Sequence, residues 1–198
     1  MVTWRYMKEY KNVMEQYEST IKETSKSDEN IDFIESEVKV YDFDAYTEDV
    51  CKEYRSKKSL SSVDAFALSD DDDFWFIEFK NARKSQLPKK SLPPKAYDSI
   101  YTAYFFLKEK YSINEIKKKA VLFVVYNDDA ISDERKENPS KGFSKFKNKM
   151  GELAKADTET RILFGIEKFK GFLYREIHTI GKQEFLEEYE KKCRLIND

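Results

Sequence analysis

The chain has 198 residues, enough for one domain with a substantial core and barely enough for two. Hydrophobic residues make up 40% of it and charged residues 37%, which is typical of a packed globule with a heavily solvated surface and argues against a largely disordered chain. Its 36 basic and 38 acidic groups leave a formal charge of -2, so nothing attracts nucleic acid to the molecule as a whole. Any nucleic-acid binding needs a local basic patch.

The N-terminus and the two cysteines bear on cellular location. The N-terminus lacks the basic, apolar and small-residue succession of a secretory signal, and no apolar run approaches the roughly 20 residues needed to span a bilayer. Cys51 and Cys193 have no CxxC spacing and no neighbouring histidine cluster, which favours small buried side chains in a reducing compartment. We therefore expect a cytoplasmic protein without a membrane segment.

The first part of the chain predicts two helices with a strand between them. Apolar side chains recur every three or four residues over 4–23, which predicts a helix there. Apolar and charged residues tend to alternate over 31–43, the pattern of a half-exposed strand. Thr47 is suited to cap a second helix over 47–56. The residues of this helix expected to face inward are Val50, Cys51 and Tyr54.

Two runs rich in β-forming residues follow, at 63–68 and 74–80, and the polar tip between them predicts a hairpin. A loop rich in Lys and Pro then leads to a helix with the sequence KAYDSIYTAYFFLKEKY, which starts at residue 95. The unbroken apolar run at 120–126 suits a strand buried on both faces. The remaining predicted elements are a helix over 140–155, strand-like segments at 161–169 and 172–180, and a helix over 183–194.

This order of elements predicts an α/β fold, a three-layer sandwich with a central mixed β-sheet flanked by helices. We expect a single domain over residues 1–198, because no repeat or linker divides the chain. Its core covers about 47–126. The helix over 4–23 and the strands and helix within 140–196 are expected to pack on that core.

The hairpin places three charged residues, Asp64, Glu78 and Lys80, inside the most apolar part of the chain. Residues directly opposite each other in an antiparallel pair share a face of the sheet, as do alternate residues of one strand. A five-residue loop over 69–73 therefore sets Asp64 across from Glu78, with Lys80 on the same face. A two-residue turn would send the two acids to opposite faces. We favour the longer loop, because four consecutive aspartates repel one another and lack the glycine that two-residue turns favour.

Two carboxylates at facing positions have Cβ atoms about 5 Å apart and repel each other as bare anions. A hard divalent cation, Mg²⁺ or Mn²⁺, resolves this repulsion, since Mg²⁺ takes one or two carboxylates and keeps several waters. Lys80 adds a point charge that can orient a metal-bound water or stabilise charge on a phosphate. The alternative interpretation is structural, with Asp64 and Lys80 in solvent at frayed strand ends and Glu78 paired to a lysine.

Other candidate sites are weaker. The lysines of SKGFSKFKNKM, residues 140–150, suit a phosphate-contacting surface, although a solvated basic face is the stronger interpretation. His178 is the only histidine, which leaves no Ser-His-Asp triad or His-rich metal site unless it acts alone. No Gly-rich phosphate loop is present, which argues against a P-loop or dinucleotide fold.

The hairpin resembles that of the PD-(D/E)XK nuclease superfamily, in which an Asp at the start of one strand and a Glu-x-Lys in the next form the metal site. The resemblance covers roughly 47–126, where helix, strand with Asp64, strand with IEFKN, helix and strand look like a restriction-endonuclease-like core with one strand shortened or unrecognised. It implies that Asp64 and Glu78 are metal ligands and that Lys80 is the catalytic lysine. Val63 stands where the name-giving Pro often does, a departure that many members share.

The resemblance also implies supporting residues. Many members carry a Glu on the helix before the hairpin, and Glu53 is the better candidate for this metal ligand because it borders the apolar face of that helix. KAYDS looks like a pattern of small members, in which Lys95 would meet a phosphate and Asp98 or Ser99 would support the site. Lys84, in the Lys-rich loop after the hairpin, is a further candidate for substrate binding.

Two functions from different classes follow from these observations. The first is a metal-dependent nuclease or nuclease-like protein that hydrolyses phosphodiester bonds of DNA or RNA. The second is a catalytically inactive protein of the same fold that binds a protein partner in a defence, phage or toxin-immunity setting. The near-neutral charge and the acidic hairpin tip favour the second, because nucleases commonly carry a basic groove. A homodimer is compatible with either function.

Overall fold

The computed structural model describes residues 13–26, 32–82, 91–128 and 165–196. The strands are β1 (Glu18–Thr20), β2 (Lys39–Asp42), β3 (Ala65–Leu68), β4 (Phe74–Lys80), β5 (Ala120–Tyr126) and β6 (Glu176–Gly181). The helices are α1 (Ile21–Thr24), α2 (Phe43–Glu53), α3 (Leu92–Leu107), α4 (Ile113–Lys119) and α5 (Lys182–Glu188), with 3-10 turns at Glu167–Phe169 and Glu190–Lys192. No helix within these four ranges is long and apolar enough to cross a membrane.

The six strands form one mixed sheet, and their order across the sheet is their order along the chain. Strands β1 to β4 pair antiparallel, whereas β4, β5 and β6 run parallel. Parallel neighbours need a crossover connection, which α3 and α4 provide between β4 and β5. The predicted α/β class and the mixed sheet are therefore confirmed.

Strand β4 is buried on both faces because its side chains alternate between two apolar cores. Phe74 and Phe76 belong to the core shared with α2, α3 and α4. Trp75 and Ile77 belong to the core shared with α1 and α5. Helices thus pack on both sides of the sheet, which is compatible with an α/β sandwich. By the same alternation, Glu78 lies on the face of Phe76.

The hairpin between β3 and β4 has the predicted five-residue loop. Leu68 pairs with Phe74, which confirms the predicted register. The Ser69 hydroxyl oxygen fixes the loop by accepting hydrogen bonds from two backbone N–H groups further along it. Strand β3 begins at Ala65, so Asp64 stands immediately before the first residue of the strand.

The prediction of one continuous helix over 4–23 is wrong in its second half, and residues 1–12 lie outside the described part of the chain. Strand β1 interrupts the predicted helix and pairs with β2. The Thr20 side chain then caps α1 by accepting a backbone hydrogen bond from its first turn. The apolar spacing still identified core positions, because Met14 and Ile21 are fully buried.

The helix predicted over 47–56 begins earlier, at Phe43. The Asp42 carboxylate caps it by accepting a hydrogen bond from a backbone N–H of its first turn. Thr47, the predicted cap, is buried inside the helix, where its hydroxyl donates to the backbone oxygen of Phe43. Tyr54, predicted to face inward, is 58% exposed because it lies beyond the end of the helix.

Two further predictions changed in extent, and one was accurate. The strand predicted over 31–43 contracts to the four residues of β2. Helix α3 begins at Leu92 because Pro93 and Pro94 occupy its first turn, where a missing backbone N–H breaks no hydrogen bond. The strand predicted over 120–126 is β5, buried along almost all of its length.

The predictions for the C-terminal part are mixed. The helix over 140–155 and residues 161–164 lie outside the described ranges, and the remainder of that strand-like segment ends in a 3-10 turn. Strand β6 starts later than the predicted strand over 172–180, because a tight turn with Gly171 at a φ of 74° precedes it. The helix predicted over 183–194 is shorter, since α5 gives way to a 3-10 turn.

Candidate active site

Two acidic side chains meet at one lysine near the carboxyl end of β4. The Lys95 ammonium lies 3.1 Å from Asp64 Oδ1 and 2.9 Å from Glu78 Oε2, so the two carboxylates share one cation. Asp64 precedes β3, Glu78 lies within β4 and Lys95 lies in the first turn of α3. The hairpin and the helix after it therefore build the site together. The structure thus brings the predicted acidic pair to one place.

Lys80 joins this cluster from the last position of β4. Its ammonium lies 2.5 Å from Glu78 Oε1, the carboxylate oxygen that Lys95 does not contact. Glu78 has no exposed surface, whereas the side chains of Lys80 and Lys95 are 21% and 20% exposed. A carboxylate buried so completely requires such cationic partners. The two ammonium groups are the part of the cluster that solvent reaches.

The backbone of β4 fixes the position of Asp64. Asp64 Oδ2 accepts a hydrogen bond of 2.6 Å from the backbone N–H of Phe79. The last backbone pair of the hairpin is Ala65 with Ile77, so this side chain extends the ladder beyond the end of β3. The other oxygen, Oδ1, is the one that contacts Lys95. Asp64 is therefore held by one oxygen and presents the other.

Two residues of the KAYDS segment hold the chain that leads into Asp64. Asp98 Oδ2 accepts a hydrogen bond of 2.9 Å from the backbone N–H of Ser61. Ser99 Oγ accepts one of 3.0 Å from the backbone N–H of Val63, and Ser99 is fully buried. The sequence assigned a supporting role to one of these two residues, and both of them have it.

Helix α2 contributes an acid that the sequence analysis missed. Asp44, in its first turn, accepts a hydrogen bond from the Ser62 hydroxyl. Burial raises the pKa of Asp44, while the Ser62 hydrogen bond and the charge of Lys95 oppose that rise. The signal that would have found it is Asp42, a good N-cap residue. A helix that starts after Asp42 places Asp44 in the turn beside the cluster.

The charges of the cluster shift the pKa values of its members in the same direction. Burial raises the pKa of Glu78 to about 8 and the charge of Asp64 adds to the rise, although Lys95 and Lys80 oppose it. Burial lowers the pKa of Lys95, but Asp64, Glu78 and Asp44 raise it by more, so the net pKa lies above the ordinary range of lysine. Lys95 is therefore charged at neutral pH.

Two residues predicted for the site are not found at the cluster. Glu53 lies in the last turn of α2 and lines a separate groove together with Tyr17 and Tyr46. Lys84 lies outside the described residues. The acid that α2 brings toward the cluster is Asp44, from the opposite end of the helix.

The cluster offers a divalent cation two protein ligands. Asp64 Oδ1 and Glu78 Oε2 already converge on one positive atom, which shows that a single cation can contact both. In the described part of the chain, no group of three or more His, Cys, Asp or Glu is arranged to hold a metal ion. A donor set of two carboxylates completed by waters suits Mg²⁺, which usually binds proteins in this way.

The comparisons with known proteins leave the chain without relatives. No family model, no curated protein and no solved structure shows a significant match to it. The resemblance to the PD-(D/E)XK superfamily therefore rests on the hairpin residues and the order of the elements. The function has to be argued from the chemistry of the cluster.

Proposed function

We propose that the chain is a metal-dependent nuclease that hydrolyses phosphodiester bonds of DNA or RNA. The observation that carries the proposal is the convergence of Asp64, Glu78 and Lys80 at one edge of the sheet, with both acids on one cation. Asp64 and Glu78 are assigned as ligands of Mg²⁺ or Mn²⁺, and Lys80 as the catalytic lysine.

The order of the elements supports a restriction-endonuclease-like core. Helix α2, strands β3 and β4, helix α3 and strand β5 follow one another as in that core. One departure is that residues 54–64 form no strand. The antiparallel partner of β3 is instead β2, which precedes α2 in the chain.

The residues of the chain prepare the site for a substrate phosphate. A bound divalent ion would supply Lewis-acid polarisation of a phosphate oxygen and an activated water. Asp64 keeps its free oxygen in place because the N–H of Phe79 holds the other. The complete burial of Glu78 excludes water from its carboxylate, which strengthens its attraction for a cation.

The two lysines have different roles in this proposal. Lys80 is held against Glu78 with part of its side chain exposed, so its ammonium can donate to a phosphate oxygen or to an attacking water. Lys95 occupies the position between the carboxylates that a divalent ion would take. Displaced from there, its flexible side chain is available to a phosphate of the substrate.

Lys95 also supports a second function, a non-catalytic protein of the same fold that binds a protein partner or forms a homodimer. Its ammonium already neutralises both carboxylates, so the cluster is electrostatically complete without a metal. Such a cluster would hold the hairpin to α3 and do nothing else. This function predicts a stable partner on pull-down and no cleavage.

Thermal unfolding with and without Mg²⁺ or Mn²⁺, followed by cleavage assays, tests the first proposal. We expect either metal to raise the melting temperature and Asp64→Asn to abolish the rise. Lys80→Ala should stop the cleavage of DNA and RNA substrates while the metal still raises the melting temperature. Glu53→Gln removes a charge far from the cluster and should change neither result. If no metal shifts unfolding and no nucleic acid is cut, the nuclease is rejected.

A further inference from the structure

A second feature with chemical character lies between α4 and the turn that precedes β6. It is a cavity of about 490 Å³, which we call the basic groove. Its lining includes three cations and an exposed aromatic ring but no acidic side chain. The residues that define it are Asn114, Lys117, Lys118, Phe172, Tyr174 and Arg175.

Two of the three cations in the basic groove are uncompensated. Lys117 and Lys118 lie in the last turn of α4, and neither forms an ion pair with a residue in the described ranges. Arg175 differs, because its guanidinium binds both carboxylate oxygens of Asp73, at 2.9 and 2.5 Å, and also contacts Glu176. The charge that the groove offers a ligand therefore comes from the two lysines.

The aromatic ring of the groove is exposed but rigidly mounted. Phe172 is 63% exposed, and the Lys117 ammonium lies over its ring at 5.1 Å from the centroid. The turn that carries it is closed by a hydrogen bond of 2.7 Å from the Gly171 N–H to the Tyr174 carbonyl, with Gly171 in the left-handed region. Buried Tyr174 anchors the turn by donating to the backbone oxygen of Ala96. The ring is thus presented to solvent in a fixed position.

The basic groove and the cluster lie on the same face of the sheet. Tyr174 packs against Phe76 with ring centroids 5.5 Å apart, and Phe76 shares its face with Glu78. The turn joins the sheet where Ala120 pairs with Phe74, and Glu78 lies four residues further along β4. At the rise of a strand this separation is about 13 Å. One extended ligand can therefore reach both places.

We infer that the basic groove binds single-stranded nucleic acid, with Lys117 and Lys118 on phosphates and Phe172 stacked on a base. Cations that follow the backbone and an aromatic ring that stacks on bases are the shared features of proteins that bind single strands. A duplex would offer the ring no free base face. The inference deepens the proposed function, on which it rests for its role, by naming a single strand as the substrate.

Fluorescence anisotropy with a labelled oligothymidylate in EDTA tests the groove without cleavage. Phe172→Ala should weaken binding roughly 5- to 100-fold, since one base stack is lost, and Phe172→Tyr should restore it. Lys117→Ala with Lys118→Ala should lower the slope of log affinity against log salt by about 1.4, that is, about 0.7 for each phosphate released.

A matched control is available on the other side of the sheet. Lys191 and Lys192 are also adjacent lysines at the end of a short helical turn, and Lys192 lies over the ring of Tyr189 at 5.4 Å. Replacing both with alanine should leave binding and its salt slope unchanged. Absence of binding, an equal loss in this control, equal affinity for duplex, or equally effective competition by polyglutamate would overturn the inference.

The two proposals fail in different ways. Binding in EDTA does not involve the metal site, so intact single-strand binding with no metal effect or cleavage would reject the nuclease and keep the groove as a binding site. Metal-dependent cleavage that is unaffected by Phe172→Ala and by the double lysine variant would reject the groove and keep the nuclease.

Discussion

The cluster at the carboxyl end of β4 and the basic groove use lysine in opposite ways. In the cluster, Lys80 and Lys95 are held within 3.1 Å of carboxylate oxygens, and the acid between them is completely buried. In the groove, Lys117 and Lys118 stand beside an aromatic ring with no acid in the lining. The first set is committed to partners within the chain, and the second is open to a ligand.

This contrast separates charges that stability depends on from charges that it does not. Removing one member of a buried ion pair leaves the other without compensation, which is strongly destabilising. Removing an exposed lysine changes stability little. The substitutions below test that difference, and a cluster that tolerates them would have to be as solvated as the groove.

The largest effect is expected for Lys95→Met, which keeps the apolar stem but removes the charge that Asp64 and Glu78 share. We expect the free energy of unfolding at neutral pH to fall by about 3–5 kcal/mol, because a buried carboxylate loses a partner. Urea unfolding measures it. The deficit should shrink at pH 5, where protonation neutralises Glu78.

The same variant also sharpens the proposal of a metal site. If Mg²⁺ binds where the Lys95 ammonium now lies, it should raise the melting temperature of Lys95→Met more than that of the unaltered protein. Lys118→Met, which removes an exposed charge, serves as the control. A loss below about 1 kcal/mol for Lys95→Met would show that the shared cation is dispensable.

The pH dependence of stability should change with Glu78→Gln. Burial and the charge of Asp64 raise the pKa of Glu78 to about 8, so the folded chain holds a proton that the unfolded chain has lost above about pH 4.3. The stability that this proton contributes is complete below that lower pKa and disappears as pH rises through about 8. The slope is at most about 1.4 kcal/mol per pH unit.

Urea unfolding from pH 5 to pH 8 measures this slope. The unaltered protein should lose stability relative to Glu78→Gln as pH rises through this window, whereas the exposed substitution Glu53→Gln should leave the profile of the protein unchanged. Parallel curves for Glu78→Gln and the unaltered protein would mean that the two lysines keep Glu78 ionised throughout.

A smaller effect is expected from Ser99→Ala. The change leaves the N–H of Val63 without its acceptor in a buried position, at a cost of about 1–2 kcal/mol. Thr102→Val on the same helix is a close control, because the Thr102 hydroxyl is buried without a hydrogen-bond partner in the described part of the chain. Equal losses in both variants, measured by urea unfolding, would deny Ser99 its supporting role.

The smallest effect is expected from Lys117→Ala combined with Lys118→Ala. Both side chains lie at the surface end of α4, so the free energy of unfolding should change by less than about 0.5 kcal/mol. Urea unfolding of the double variant checks this. A larger loss would mean that the groove lysines stabilise the fold and are not reserved for a ligand.

The parts of the structure that follow local rules were predictable from the sequence. The apolar run of β5 and the pairing of Leu68 with Phe74 depend on neighbouring residues and on the length of one loop. Because register determines which side chains share a face, the correct loop length was sufficient to place Asp64 and Glu78 together.

The parts that depend on distant contacts were not predictable. Lys95 joins the cluster because α3 packs with its first turn against β4, which no local pattern encodes. Thr47 and Asp42 are both good caps, and the end of β2 decides between them. Strand β1 exists through its pairing with β2, whereas its apolar spacing is equally that of a helix.

The hydrogen bond from the Phe79 N–H to Asp64 makes one amide proton of the sheet a reporter of the cluster. A ligand that pulls the carboxylate of Asp64 away will open this amide to solvent, and a ligand that fixes the carboxylate will close it further. Hydrogen–deuterium exchange at Phe79, set against the neighbouring amides of β4, can therefore register occupancy of the site even when nothing is cleaved.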